Sequence, residues 1–144
     1  MSARENKEVV ARLYEEGWGR GDLQAFDQAW AAHHVLVWNE QTQTRQARTV
    51  EELKRIVRSY RSAFPDLTVR IDEMIAEGDK VAVQVTFRGT HEGVYEGFPP
   101  THKTSSFTDM QIMTLEDGRI TRTTLGSGGL KYFFGVLDGS ALAE

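Results

Sequence analysis

Asp109 stands in the run Phe107-Thr108-Asp109-Met110-Gln111-Ile112-Met113-Thr114-Leu115, which reads as a β-strand. An acid flanked by Phe107, Met110, Ile112 and Met113 has little water to keep it ionised. Desolvation raises a carboxyl pKa toward neutrality, where one group can both take and give a proton. That is the chemistry of a general acid/base. Strand alternation groups Asp109 with Phe107, Gln111, Met113 and Leu115, and sets Met110 and Ile112 opposite. Both faces are partly apolar, so alternation alone leaves open whether Asp109 faces a pocket or solvent.

Other residues carry groups that suit a ligand site. The imidazoles of His91 and His102 titrate in the range useful for proton transfer or for hydrogen-bonding a carbonyl. Both lie in glycine- and proline-rich sequence, where capping a turn is the competing role. Trp38 and Asn39 end a short apolar run; a neutral amide such as Asn39 can hold a carbonyl oxygen, or simply lead into a turn. Tyr14 and Trp18 share one helix face, where aromatics serve a core or line a pocket. Phe64 and Phe107 are apolar candidates for the same wall. His33-His34 lacks a ligand spacing: adjacent side chains diverge and no acidic cluster accompanies them, so no metal is expected. Ser127 sits in a glycine-rich joint without the strand-to-helix setting of a nucleophile, and no phosphate-cradling glycine loop is present.

These residues need elements to position them. Val9, Val10, Leu13, Tyr14 and Trp18 predict a first helix, which Gly17, Gly19 and Gly21 loosen and stop. Asp22 marks the start of a second helix carrying Leu23, Phe26 and Trp30. Val35 to Trp38 reads as a short buried strand, and Glu40 to Arg48 as polar loop. Thr49-Val50-Glu51-Glu52 is a capping box that opens a third helix with the stripe Leu53, Val57, Tyr60, Phe64, closed by Pro65. Strands follow over Leu67 to Ala76, Val81 to Phe87, Thr104 to Glu116 and Arg119 to Leu125. They are joined by turns at Glu77-Gly78-Asp79-Lys80 and Asp117-Gly118. Gly89 to Thr101 reads as a loop or a broken edge, and Gly126 to Gly129 as a joint before the apolar tail Leu130 to Leu137. Helices followed by a meander of strands indicate α+β.

With 144 residues the chain is expected to form one domain over residues 1–144. A net charge of −4 with scattered Lys and Arg argues against nucleic acid and anionic membrane as partners. The absence of cysteine excludes disulfides, thiolate metal sites and cysteine nucleophiles. The first residues lack a signal-like apolar core, and no apolar run approaches the ~18 residues of a membrane span, so a cytoplasmic location is expected.

Several segments in order resemble the SnoaL-like polyketide cyclase family of the NTF2-like superfamily. They are Asn6 to Tyr14, Gly21-Asp22-Leu23, Tyr60 to Leu67, Ala76 to Val83, Gly89-Thr90-His91-Glu92-Gly93, Gly97 to Thr101 and Glu116 to Ile120. The resemblance covers about residues 6 to 122. It implies a curved antiparallel sheet with three N-terminal helices, a cone enclosing a mostly apolar pocket, and a homodimer. It further implies intramolecular aldol ring closure of a small hydrophobic or aromatic polyketide-like substrate, without a cofactor. In the family the acid/base aspartate lies on the strand before the Asp-Gly hairpin, which matches Asp109, and the histidine of the Gly-Thr-His segment matches His91. Two departures stand out. Arg122-Thr123-Thr124 replaces the usual Glu-His-Trp-like segment, and His102 replaces the usual glycine after Pro-Pro-Thr. A dehydratase or epoxide hydrolase of the same fold is an alternative. The Asp-Arg-Asp arrangement of such hydrolases would need Arg at Phe107 and an acid near Thr121 or Thr123. A steroid-type isomerase would need a carboxylate where the first strand ends in Asn39. A non-catalytic small-ligand-binding protein is the alternative from another class.

Overall fold

The computed structural model describes residues 2–38, 44–95 and 97–125, with backbone alone for 35–38, 44–48 and 125. Asn39, the Gly126 to Gly129 joint and the apolar tail therefore lie outside the described residues. A first helix, α1 (Ala3–Arg12), opens on a capping box: the Glu5 amide donates to Ser2 Oγ and the Ser2 amide to the Glu5 carboxylate. It runs into a π-helical segment, Leu13–Trp18. Then come α2 (Gln24–Ala29), β1 (Trp30–Trp38), β2 (Thr44–Arg48) and α3 (Val50–Ala63). Four further strands follow among the described residues: β3 (Thr68–Glu77), β4 (Lys80–Thr90), β5 (Thr104–Glu116) and β6 (Arg119–Leu125). The predicted capping box at α3 forms, with the Glu52 amide 3.1 Å from Thr49 Oγ1. No helix among the described residues is long and apolar enough to cross a membrane.

The six strands make one sheet in the order β2-β1-β6-β5-β4-β3, antiparallel throughout except for the parallel pair β1–β6. The turn between β5 and β6 has positive φ at both Asp117 (50°) and Gly118 (76°), the two-residue geometry whose twist matches its strands. Along β4 the alternation is complete: Val81, Val83, Val85 and Phe87 are buried, and their neighbours face outward. This inner face packs under the helical layer, where Val10, Leu13, Tyr14, Phe26, Val57, Tyr60 and Phe64 complete the core. The fold is therefore the expected α+β arrangement, helices over a curved and mostly antiparallel sheet.

Three local expectations change. The polar stretch Glu40 to Arg48 is not all loop, because Thr44–Arg48 pairs with β1, Arg48 opposite His34 and Thr44 opposite Trp38. Polar and basic side chains are what an edge strand tolerates, so composition hid it. The second helix stops at Ala29, and Trp30 starts β1 by pairing with Ile120. A single aromatic at helical spacing cannot outweigh a strand partner that sequence does not reveal. The first helix does reach Trp18, but as a π-segment rather than regular α-helix.

Gly17 explains part of that segment. A Cβ there would stand 2.8 Å from two ring carbons of Phe26, itself fully buried. Arg61 then closes the segment by donating from Nη1 to the carbonyls of Trp18 (2.8 Å) and Gly19 (2.9 Å), groups left over at a helix end. Gly17→Ala should accordingly destabilise the fold by about 1–3 kcal/mol through overpacking, despite the better helix propensity of alanine. Denaturant unfolding of the variant measures this; equal or greater stability would show that the Phe26 contact yields freely.

Candidate active site

The β4–β5 register settles which way Asp109 faces. Asp109 lies opposite Val85, Gln111 opposite Val83, and Phe107 opposite Phe87. Paired residues of an antiparallel ladder share a face, so Asp109 points with the buried valines toward the helical layer. Met110 and Ile112 point the other way and are exposed. Phe107 stacks on Phe87, ring centroids 5.0 Å apart and nearly parallel. Phe87 also meets the edges of Tyr14 and Trp18, at 6.4 and 5.6 Å.

Asp109 is half-buried in this apolar setting, and burial pushes its carboxyl above the usual aspartate range. Two hydrogen bonds oppose the shift. Gln111 Nε2 donates to Oδ2 at 3.2 Å, and the Met110 amide donates to Oδ1 at 3.0 Å. Gln111 in turn accepts at Oε1 from the hydroxyl of Tyr14. Tyr14 is buried, and burial together with the charge of Asp109 pushes its phenol well above the normal range. Three polar side chains thus form a head-to-tail chain, Tyr14 to Gln111 to Asp109, on an otherwise apolar face. The chain has the groups for proton transfer at one end and hydrogen-bond donation at the other.

Gln111 was not among the residues expected to form the site, although alternation already placed it beside Asp109. A second polar pair also escaped notice. His34 Nε2 lies 2.9 Å from Thr123 Oγ1, both residues buried, with the imidazole stacked on Trp30 at 3.6 Å. Thr123 pairs with Met113, next in the row that carries Gln111 and Asp109. Thr123 occupies the middle of the departing segment Arg122-Thr123-Thr124, so an imidazole from β1 stands where the neighbouring strand offers only a hydroxyl. Burial pushes His34 down to about 4, which keeps it neutral at ordinary pH.

The remaining predicted residues fall as follows. Trp18 is half-buried among Phe26, Tyr60 and Phe87. Trp38 ends β1, its side chain outside the described set, as is Asn39. Phe64 is fully buried at the end of α3, stacked on Tyr60 and His91. It serves the core there rather than the surroundings of Asp109. His91 is not brought to Asp109. It follows Thr90, which pairs with Thr104, and stands six residues beyond Val85, roughly 20 Å of extended chain. Its ring is buried against Phe64, with Nδ1 accepting from the Thr101 amide at 3.3 Å. His102 is exposed and within 3.2 Å of Glu92, at a positive φ of 59°. That backbone conformation accounts for a glycine preference there. A shallow groove between α1 and β3, lined by Arg4, Lys7, Glu8 and Met74, shares no residue with the polar chain. Among the described residues no group of three or more His, Asp or Glu is placed to hold a metal ion.

Helices layered over a curved sheet give the chain an NTF2-like fold: an NTF2-like protein from Burkholderia pseudomallei superposes with a TM-score of 0.69 at 18% identity, covering 95% of this chain and 98% of its own. The family model described as SnoaL-like polyketide cyclase matches residues 8–125, and the chain belongs to that family. A presumed SnoaL-like polyketide cyclase from Jannaschia sp. CCS1 is 23% identical, covers 94% of this chain and 93% of its own, and superposes with a TM-score of 0.79. AclR, a presumed hydroxylase from Streptomyces galilaeus, gives 22% identity, 98% and 100% coverage, and a TM-score of 0.78. IdmH, a presumed polyketide cyclase from Streptomyces antibioticus, gives 26%, 83% and 89%, and 0.69. A search of curated proteins returns no match.

The buried His34 makes a testable demand on stability. Its folded value near 4 lies below the unfolded value near 6.5, so the unfolded chain binds the extra proton between them. Stability should fall as pH drops from about 6.5 to about 4, by up to about 3 kcal/mol, and be fully present above that window. His34→Gln removes the titration. Urea midpoints at several pH values should decline more steeply over this window in the wild type than in the variant; parallel curves would refute the assignment.

Proposed function

We propose that the chain is a cofactor-independent cyclase or isomerase in which Asp109 is the general acid/base, acting on a polyketide-like natural-product substrate. The observation that carries this reading is the carboxyl of Asp109 on the covered face, held by Gln111 and raised by burial. In an aldol closure the carboxylate takes a proton from a carbon activated by adjacent carbonyls. The electron pair of that C–H bond passes onto the carbonyl oxygen as an enolate. The enolate carbon attacks a second carbonyl of the same molecule, a C–C bond forms, and the new alkoxide takes back the proton from Asp109. Nothing is consumed, so one carboxyl of shifted pKa suffices. The apolar rings of Phe87, Phe107 and Trp18 suit an aromatic substrate edge.

A binding-only role is the second reading. It is favoured by Thr123, which supplies no ionisable group on the strand after the hairpin. The homodimer implied by the family is supported by the outer face of the sheet, where Ile75 of β3 and Met110 and Ile112 of β5 remain exposed on either side of β4.

Two experiments test these readings. An aryl-substituted β-keto ester incubated with the protein in deuterium oxide should exchange its activated C–H, read by NMR. Asp109→Asn should slow that exchange by at least about 100-fold with the fold intact, the usual scale of a general base. Near-wild-type exchange in the variant would sink the assignment. For assembly, light scattering should give a dimer mass for the wild type, and Met110→Lys with Ile112→Lys should shift it to monomer. A monomeric wild type would remove the dimer from the reading.

A further inference from the structure

The chain Tyr14–Gln111–Asp109 has a directional property that neither end has alone. With Asp109 ionised, every polar atom in it is matched: the Tyr14 hydroxyl donates to Gln111 Oε1, and Gln111 Nε2 donates to Asp109 Oδ2. A carboxylate only accepts, so the amide must present its N–H side. Once Asp109 holds a proton on Oδ2, two donors face each other and the arrangement fails. Rotation of the amide by half a turn about Cγ–Cδ restores it, since that torsion is broad and two-fold. Oε1 then accepts from the Asp109 hydroxyl, and Nε2 donates to Tyr14 Oη. The Tyr14 hydroxyl becomes the acceptor at Gln111, and its own proton must turn to another partner. A buried hydroxyl proton left without an acceptor is costly, which favours a ligand oxygen in that position.

We propose that Gln111 is a positioning residue whose amide turns over with the protonation state of Asp109, switching Tyr14 from donating to Gln111 to donating toward a bound ligand oxygen. The inference rests on the acid/base reading of Asp109 and deepens it. Abstraction of a substrate proton by Asp109 creates negative charge on a carbonyl oxygen in the same step. The turned amide releases the Tyr14 O–H to meet that charge when it arises, and return of the proton resets the chain. No proton travels through Gln111; only the direction of hydrogen bonding reverses.

Among the described residues few groups compete for this coupling. From the helical layer the titratable group facing Asp109 is Tyr14, and β4 contributes Val83, Val85 and Phe87. On β5 itself the neighbours of that face are Phe107 and Gln111. The π-segment that carries Tyr14 is pinned by Arg61 and Gly17, so the hydroxyl is presented from a fixed backbone.

The test needs no substrate. Carbon-13 NMR of the Asp109 carboxyl gives its titration midpoint in the wild type, in Tyr14→Phe and in Gln111→Leu. Both variants should raise the midpoint by about half a pH unit or more, because each relaxes the constraint that holds an N–H against the carboxylate. In the wild type the side-chain amide resonances of Gln111 should move with the same midpoint, and in Asp109→Asn they should stay flat. An Asp109 midpoint unchanged in Tyr14→Phe, or Gln111 resonances that ignore the Asp109 titration, would overturn the switch. Should Gln111→Leu fail to fold, Tyr14→Phe and the wild-type amide resonances decide the matter alone. The exchange assay on Asp109→Asn is independent of these titrations. A lost switch with a dead Asp109→Asn removes only the relay, whereas a working switch with an active Asp109→Asn removes the acid/base reading.

Discussion

The register between β4 and β5 is the constraint on which the site depends. It runs unbroken from Lys80 opposite Thr114 to Thr90 opposite Thr104. Its energy comes from one face: Val81, Val83, Val85 and Phe87 are all within a few per cent of complete burial. A slip by one residue would turn the whole of β5 over, exposing Met113 and Leu115 and burying Met110 and Ile112 with Thr108. It would also carry Asp109 and Gln111 into water. The hydrophobic pattern of two strands therefore fixes the environment of a carboxyl that contributes nothing favourable to packing.

The helical layer supplies the rest, and it does so with irregular geometry. A regular α-helix through Leu13–Trp18 would rotate Tyr14 and Trp18 relative to each other; the π-segment inserts an extra residue into the turn and sets both rings against Phe87. Such a segment is held by its surroundings rather than by propensity. Gly17 lets Phe26 approach, and Arg61 satisfies the carbonyls at the segment's end. The packing that shapes the core thus also aims the Tyr14 hydroxyl at Gln111.

Much of this was legible in the chain, and the illegible parts share a cause. The β4 alternation, the Thr49 capping box, the Asp117-Gly118 turn and the grouping of Asp109 with Gln111 are local patterns, and each forms as read. What sequence could not supply is pairing between distant segments. The edge strand Thr44–Arg48, the early start of β1 at Trp30 and the meeting of His34 with Thr123 all depend on partners far away in sequence. His91 shows the converse. The Gly-Thr-His segment places it at the end of β4, but only the ladder reveals that it stands far along the strand from Val85 and packs on Phe64.

Asp109 and His34 respond to burial in opposite directions for one reason. Removing water disfavours whichever form is charged, so the carboxyl is pushed up and the imidazole down. Both groups are thereby held toward neutrality on the same covered face. The consequences for folding have opposite signs in pH. A raised carboxyl binds more protons folded than unfolded, so its contribution weakens as pH rises past the aspartate range, whereas His34 costs stability as pH falls below its unfolded value. A reaction in which Asp109 takes up a proton as charge arises on substrate oxygen shifts negative charge across the site rather than adding to it, and the charge meets polar groups already oriented, which is the setting in which one carboxyl, one amide and one phenol can be enough.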